Sequence, residues 1–381
     1  MTRAHYVMIG GFLGAGKTTA MARFAAHLAA AGKRVGLITN DQSSGLVDTA
    51  LLKAHGHAVE EIPGGCFCCR FNSLAEAAER LERDAHPDVY LAEPVGSCTD
   101  LVATVSYPLR RIYGARFQIA PLSVLVDPAR AARVLGLAEG RAFTEKVLYV
   151  YEKQLEEADL IVVNKVDTLD VSERRALVGA LEQRFPRAEV LCVSARTGEG
   201  CDAWFERILR AESLGAPDAP TMPIDYVTYA EGEALLGWHN LTARLVDPTG
   251  GALAAPFDAN ALLVELAGLV RARLHDAGVE IAHLKLTLDA GDASGRLAAL
   301  SLVSTDGPLD LREALVDGVT GGQLIVNLRA EADPDLLSAT VAQALAEATA
   351  ALPGLAPVIE HAEHFRPSPP VPTHRDVVAA R

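Results

Sequence analysis

Three of the six cysteines in this chain fall within four positions, in the stretch Gly64-Gly65-Cys66-Phe67-Cys68-Cys69-Arg70. Thiolates crowded in this way suit soft or borderline cations such as Zn2+, Co2+ or Cu+. Zinc takes four nitrogen or sulfur ligands in a tetrahedron, so Cys66, Cys68 and Cys69 leave one position open. His55 and His57 are near in sequence, and a carboxylate, a second subunit or a partner protein could also fill it. Three ligands with one exchangeable position suit delivery of a transition metal, zinc or cobalt, better than permanent storage. A fixed structural zinc, and redox-active or merely packed thiols, are the competing readings. Cys192 reads as core, while Cys98 and Cys201 read as residues at helix starts with no role assigned.

A second stretch handles phosphate. Gly11-Phe12-Leu13-Gly14-Ala15-Gly16-Lys17-Thr18 has the P-loop pattern, between an apolar strand and a helical pattern. Its glycines let backbone N–H groups wrap phosphate oxygens, and the helix N-terminus adds partial positive charge. The binding set on this loop is Gly11, Gly14, Ala15, Gly16, Lys17, Thr18 and Thr19. Lys17 reaches the β- and γ-phosphates, and the Thr18 hydroxyl joins a Mg2+ shell.

Asn164-Lys165-Val166-Asp167 follows the apolar run 160–163 and selects the base. The Asp167 carboxylate can accept hydrogen bonds from guanine N1–H and the exocyclic amine, an arrangement adenine does not offer, so GTP is favoured over ATP. Asn164 belongs to the same set, and Lys165 can lie along the base plane. A backbone N–H in Ser194-Ala195-Arg196 could meet guanine O6, which adds Ser194 and Ala195. Two acids stand at strand ends, Asp41 after 37–40 and Glu93 after 89–92, where the nucleotide crevice of a parallel sheet lies. They can hold Mg2+ or its waters, Asp41 together with Thr18, or orient the attacking water. The N–H of Gly96 can sense the γ-phosphate. The catalytic set is thus Lys17, Asp41, Glu93 and Gly96.

The elements that must position these residues can be read from hydrophobic patterning. Continuous apolar runs at 6–9, 35–38, 89–92, 123–126, 160–163 and 190–193 alternate with helical patterns, which predicts an α/β P-loop fold: a mostly parallel sheet flanked by helices. Residues 1–212 form that domain with the cysteine loop inside it, and 213–223, carrying Pro217, Pro220 and Pro223, reads as a linker. Residues 224–365 read as a smaller α+β domain, with strands near 225–230, 241–246, 281–288, 297–303 and 323–328 and helices near 259–275 and 334–351. The proline-containing stretch 366–381 reads as an extended or disordered tail. The length of 381 residues suits two domains, and the net charge of −14 argues against a nucleic-acid partner. The absence of a long apolar segment argues against a membrane span or a secretion signal, so a cytoplasmic protein with reduced thiols is expected.

Gly10-Gly11-Phe12-Leu13-Gly14-Ala15-Gly16-Lys17-Thr18-Thr19, Gly65-Cys66-Phe67-Cys68-Cys69 and Asn164-Lys165-Val166-Asp167 together resemble the CobW-type P-loop GTPases, relatives of the HypB and UreG nickel chaperones. The resemblance covers residues 5–210 and extends loosely to about 365. It implies GTP hydrolysis to GDP and phosphate with Mg2+, a Zn2+ or Co2+ site at Cys66, Cys68 and Cys69, and insertion of that metal into a client metalloprotein. It also implies dimerisation that depends on nucleotide or metal. Two segments depart from the family pattern. Glu93-Pro94-Val95-Gly96 replaces a Glu-Thr-Ser/Thr-Gly type of segment, so Pro94 removes an N–H and a hydroxyl, and Ser44 stands where many relatives carry a second acid. The alternative function is a GTP-driven remodeller or activator of a metalloenzyme or cofactor protein, with the cysteines as a structural zinc site. A kinase or ligase is disfavoured by the guanine-type quartet and by the lack of a recognisable acceptor site.

Overall fold

The computed structural model describes residues 3–40, 52, 58–210, 221–248, 255–291 and 296–378. Asp41, Ser44, His55, His57 and most of the linker lie outside the described residues. The first part of the chain gives β1 (Ala4–Gly11), β2 (Val35–Asn40), β3 (Val59–Ile62), β4 (Val89–Glu93), β5 (Phe117–Ile119), β6 (Ser123–Val126), β7 (Leu160–Val163) and β8 (Glu189–Cys192). They pair in the order β3-β2-β4-β1-β6-β7-β8, with β5 also on β1, and every pair is parallel. The inner strands β4, β6 and β7 read as near-continuous apolar runs because both faces are covered, whereas the edge strand β3 carries Glu60 and Glu61. In β1, Tyr6 and Met8 enter one core with the helices Phe71–Ala85 and Glu145–Glu156. Val7 and Ile9 enter the other, with the helices Lys17–Ala30 and Cys201–Arg210. The central position of β1 puts its carboxyl end at the crevice where such sheets bind ligands.

The second part forms a separate antiparallel sheet: β9 (Leu236–Val246), β10 (Ile281–Asp289), β11 (Leu297–Leu302), β12 (Asp310–Glu313), β13 (Gly322–Glu331) and β14 (Ala356–Phe365), in the order β12-β11-β10-β13-β9-β14. The helices Ala259–Asp276 and Pro334–Ala350 supply partners for one face. Leu284, Leu286 and Leu288 of β10 point into that core, each contributing roughly 1.5–3 kcal/mol relative to exposure. The intervening His283, Lys285 and Thr287 occupy the opposite, polar face. That face is turned toward the parallel sheet rather than to solvent. Arg130, itself buried, places its guanidinium over the Phe12 and Phe143 rings at 5.3 and 4.8 Å. It donates across the boundary to the carbonyls of Ala282, at 3.0 Å, and Val303.

Several local readings change. The segment 225–230 is not a strand: Asp225 caps the helix Tyr226–Leu235 by accepting from the Val227 N–H, and Tyr229 and Glu233 are buried on its inner face. The cap and the packing override the β propensity of Tyr226, Val227 and Thr228. Strands β12 and β14 are additional. The helix after the cysteines starts at Phe71, with Arg70 rather than Asn72 or Ser73 at the cap position. Cys201 begins a helix, but Cys98 lies in a turn ahead of one. The tail through residue 378 has no helix or strand, yet it is tied down: Arg375 pairs with Asp100, and Asp376 with Arg111. Among the described residues no helix is long and apolar enough to cross a membrane.

Candidate nucleotide and metal site

The loop after β1 takes its shape from left-handed glycines, Gly11, Gly14 and Gly16, at φ 130°, 83° and 89°. A Cβ on Gly16 would come within 2.5 Å of the Asn164 side chain, so the guanine-type quartet leaves room for no other residue there. The two motifs are bonded to each other. Asn164 donates from Nδ2 to the Ala15 carbonyl at 2.9 Å, and Lys165 donates from Nζ to the Gly14 carbonyl at 2.8 Å and to Asp127 Oδ2 at 2.7 Å. Burial lowers the Lys165 pKa from its ordinary value, against the pull of Asp127. Asp167 sits on the single turn Val166–Thr168 and lines the wide cleft beside the loop, of about 2170 Å³. Ser194 and Ala195 follow β8. The Ala195 N–H donates to Asn164 Oδ1 at 2.9 Å, which commits it to the scaffold, and the Ser194 hydroxyl accepts from Thr197 N–H at 3.1 Å.

Lys17 and Thr18, both buried, open the helix at the mouth of the loop. Lys17 donates to the Gly11 carbonyl at 2.9 Å and lies 3.8 Å from Glu93 Oε1. The Thr18 hydroxyl donates to the Glu93 carboxylate, 3.1 Å from Oε2. Thr18 and Glu93 thus set two hard oxygen donors side by side, a donor set that fits Mg2+. Gly96 lies so close to the loop that a Cβ would meet the Leu13 side chain at 2.7 Å. Lys17, Thr18, Glu93 and Gly96 therefore converge in one small pocket beside Asn40.

The antiparallel sheet closes that pocket. Trp238, His283, Lys285, Ser301, Val303 and Arg312 line it from the far side. Arg312 on β12 donates from Nε to Ser301 Oγ at 2.9 Å and from Nη1 to Thr19 Oγ1 at 2.7 Å, touching the first turn of the phosphate-loop helix. Burial, then Lys285, lowers the His283 pKa well below its ordinary value, so the ring faces the pocket without charge. The residue types and their period of two were visible in sequence, but the pattern alone did not single out the polar face of this sheet.

The cysteine loop lies on the neighbouring edge. Gly64 and Gly65, at φ 78° and 140°, turn the chain after β3, and the Cys66 carbonyl accepts from the Cys69 and Arg70 N–H groups at 3.1 and 2.9 Å. This winds the three thiols inward, all within 4.8 Å of one another. Sγ separations are 2.6 Å for Cys66 and Cys68, 3.1 Å for Cys66 and Cys69, and 3.7 Å for Cys68 and Cys69. A tetrahedral zinc with bonds of ~2.3 Å sets its sulfurs about 3.8 Å apart, so modest spreading of this trio fits the ion. Cys68 and Cys69 hydrogen-bond the Cys66 sulfur and hold its pKa well below the usual thiol value, while the shared proton pushes Cys68 up and Cys69 up to about 11. Cys66 and Cys68 are buried, and Cys69 is half-buried. The tail crosses the loop: Val371 N–H donates to Cys69 Sγ at 3.2 Å, and Thr373 N–H to the Cys68 carbonyl at 2.8 Å.

One side chain joins the two sites. Asn40 ends β2, lines the nucleotide pocket, and donates from Nδ2 to the carbonyls of Ile62 at 2.9 Å and Gly65 at 2.6 Å. The amide that lines the pocket beside the phosphate loop therefore also holds the loop carrying the thiols.

Comparison with known proteins agrees with this architecture. Residues 5–191 match the family described as CobW/HypB/UreG, nucleotide-binding domain. The chain is 30% identical over 214 residues to a zinc chaperone CobW of Sinorhizobium sp, covering 50% of this chain and 59% of that protein. It is 33% identical over 181 residues to the zinc chaperone YeiR of Escherichia coli, covering 46% of this chain and 50% of that protein. The chain thus spans about half the length of the curated relatives it matches. Among solved structures, the Zn(II)-bound YjiA GTPase from E. coli aligns with 90% of this chain and 99% of its own, at 16% identity and a TM-score of 0.37. HypB from Helicobacter pylori in complex with nickel aligns with 55% of this chain and 87% of its own, at 16% identity and a TM-score of 0.40. Those scores are too low to add to the strand order already described. Phosphate loop, base quartet and nearly all of the parallel sheet fall within the matched segment, and residues 5–191 carry a nucleotide-binding domain of the CobW/HypB/UreG type.

Proposed function

We propose that the protein is a GTP-hydrolysing metallochaperone that takes a transition metal, zinc first and cobalt next, at Cys66, Cys68 and Cys69 and passes it to a client metalloprotein. The observation that carries this reading is Asn40, whose one amide borders the phosphate pocket and holds the cysteine loop at Gly65. The similarity to the zinc chaperones CobW of Sinorhizobium sp and YeiR of Escherichia coli supports the choice of metal.

In this reading the loop amides of Gly14, Ala15, Gly16 and Thr19 cradle the phosphates, and Lys17 moves from the Gly11 carbonyl to the β- and γ-phosphate oxygens. Asn164, Lys165, Asp167, Ser194 and Ala195 frame the guanine. Thr18 and Asp41 would hold Mg2+, which when bound supplies positive charge against the triphosphate. Glu93 accepts a proton from, or orients, the attacking water, and the Gly96 N–H reports the γ-phosphate. Lys285 and Arg312 add cationic groups from the antiparallel sheet. Residues 224–365 thereby act as a lid on the nucleotide as well as a surface for the client. Loss of the γ-phosphate relaxes the segment after Glu93 and the end of β2, and with them the thiol geometry. Linkage then requires metal to shift nucleotide affinity by the same factor that nucleotide shifts metal affinity. A homodimer that forms with nucleotide or metal belongs to the same proposal.

A second reading has its own observation. Two of the three thiols are buried and the tail covers the third, which suits a fixed zinc staple in a GTP-driven remodeller. Metal titration against a competing chelator decides between them. The reduced full chain and the Cys66/Cys68/Cys69→Ser variant are compared with GDP and with a non-hydrolysable GTP analogue. Affinity that changes with nucleotide and vanishes in the variant supports the chaperone. One zinc held equally in both states supports the remodeller.

A further inference from the structure

The tail touches the cysteine loop and the segment after β4 at the same time. Pro367, Pro369, Pro370 and Pro372 keep its backbone extended, and the N–H groups between and after them turn to neighbouring chain. Two of these meet the thiol loop, Val371 N–H at Cys69 Sγ and Thr373 N–H at the Cys68 carbonyl. The Thr373 hydroxyl donates to the Cys69 carbonyl at 3.1 Å, and the His374 ring lies edge-to-face with Phe71, centroids 4.9 Å apart. Just beyond, the tail is fastened to the chain that leaves Gly96. Arg375 donates from Nε to Asp100 Oδ2 at 2.7 Å, and Tyr226 Oη donates to the same oxygen at 2.7 Å. The Asp376 N–H donates to the Ala103 carbonyl at 2.9 Å, and its carboxylate accepts from Arg111 Nε at 2.8 Å. Asp100 is buried and holds a left-handed φ of 62°, uncommon for a residue other than glycine and kept where the surroundings fix it. By contrast, none of residues 371–378 is buried. Polar bonds rather than an apolar core hold this stretch, so it can open without unfolding the domain.

We propose that residues 371–376 are a strap that closes the thiol loop, latched at Asp100 and released when the segment 93–100 moves with the state of the nucleotide site. Closed, the strap keeps an incoming ligand from Cys69, the half-buried member of the trio. Asp100 lies four residues beyond Gly96, on the segment assigned to the γ-phosphate. A shift at Gly96 carries Asp100 away from Arg375, and the Val371 and Thr373 N–H groups then leave the loop. Asn40 connects the two sites through the inner side of the cysteine loop, and the strap gates its outer side. The inference rests on the proposed nucleotide-dependent cargo site and supplies the device that controls access to it.

The test follows Cys69 in the reduced, metal-free full chain, by iodoacetamide alkylation resolved for each cysteine with mass spectrometry and by hydrogen exchange of the tail. Arg375→Ala is expected to alkylate Cys69 at least about tenfold faster than the parent, through loss of a charge-assisted pair. Thr373→Pro, which removes the bond to Cys68 and leaves Asp100 untouched, is expected to act in the same direction. Cys201, buried elsewhere, is expected to keep the parent's rate in both. In the parent, a non-hydrolysable GTP analogue with Mg2+ is expected to speed Cys69 alkylation and to deprotect the Val371 and Thr373 amides relative to GDP. An unchanged Cys69 rate in either variant overturns the strap. Where a variant unfolds, seen as faster alkylation at Cys201, the parent decides, and equal protection of those two amides with GDP and with the analogue overturns the strap. A parent chain that responds as expected but binds no Zn2+ removes the cargo reading and leaves the strap standing.

Discussion

The two sheets place their chemistry in different ways. The parallel sheet buries both faces and keeps its functional groups at strand ends: the loop after β1, Glu93 after β4, and Asn164 after β7. The antiparallel sheet spends one face on a leucine core and brings Lys285, Ser301 and Arg312 to the crevice on the other. Chemistry at strand ends is contiguous in sequence and can be read as a motif. Chemistry on a sheet face is scattered at every second residue and acquires meaning only when that face docks. The boundary between the sheets is therefore where mutation should separate them most clearly.

Arg130→Ala should have the largest effect, about 3 kcal/mol of stability, because it empties a buried position and leaves the Ala282 and Val303 carbonyls unsatisfied. Urea unfolding followed by tryptophan fluorescence measures it, and a loss under about 1 kcal/mol would mean that apolar contact alone holds the sheets together. Lys17→Ala should weaken a fluorescent GTP analogue about 100-fold through lost charge-assisted bonds. Unchanged affinity would remove the phosphates from the β1 loop. Arg312→Ala should cost about tenfold, the smaller share expected of a residue that reaches in from the other sheet. Equal losses for GTP and GDP would put Arg312 on the shared phosphates, whereas a loss confined to GTP would put it on the γ-phosphate.

The smallest effects separate the domains by pH. The parallel domain holds Glu157 half-buried, with its carboxyl accepting from Thr99 Oγ1 and Val102 N–H and pushed by loss of solvent from 4.5 to about 8. The folded state then binds more protons than the unfolded one between those values, so this contribution is full below pH 4.5 and is lost as pH rises toward 8. The antiparallel domain buries His239, lowered by burial and then by His364 from 6.5 to about 4. Here the unfolded state binds the extra proton, so stability is present above pH 6.5 and is lost as pH falls toward 4. Each slope is at most about 1.4 kcal/mol per pH unit. Glu157→Gln should flatten only the alkaline side of a melting-temperature profile, and His239→Phe only the acidic side. If either substitution flattens both sides, the two domains do not titrate independently.

How far the molecule could be read in advance follows the same division. Gly11 to Thr18 and Asn164 to Asp167 are legible because each is a short run whose spacing is its geometry. Strands β1, β2, β4, β6, β7 and β8 are legible as apolar runs bounded by turns, whereas β3, with Glu60 and Glu61, and the three-residue β5 lack that signal. The segment 225–230 was misleading because Tyr226, Val227 and Thr228 favour strands locally, and nothing in the stretch itself records that Tyr229 and Glu233 pack inward. β12 and β14 carry polar and exposed residues, Arg312 and Glu360 among them, so they lack the apolar signal of a core strand. Asn40 was visible only as the residue before Asp41, since its bonds to Ile62 and Gly65 depend on β2 pairing with β3.

The alternation along β10 also makes assembly of the crevice a matter of register. A slip of one residue against β11 or β13 would carry Leu284, Leu286 and Leu288 onto the crevice side and drive His283, Lys285 and Thr287 into the leucine core. A misregistered sheet would lose its core and its cationic contribution to the phosphate pocket in the same step, so correct strand pairing in the second domain is a precondition for a complete nucleotide site in the first.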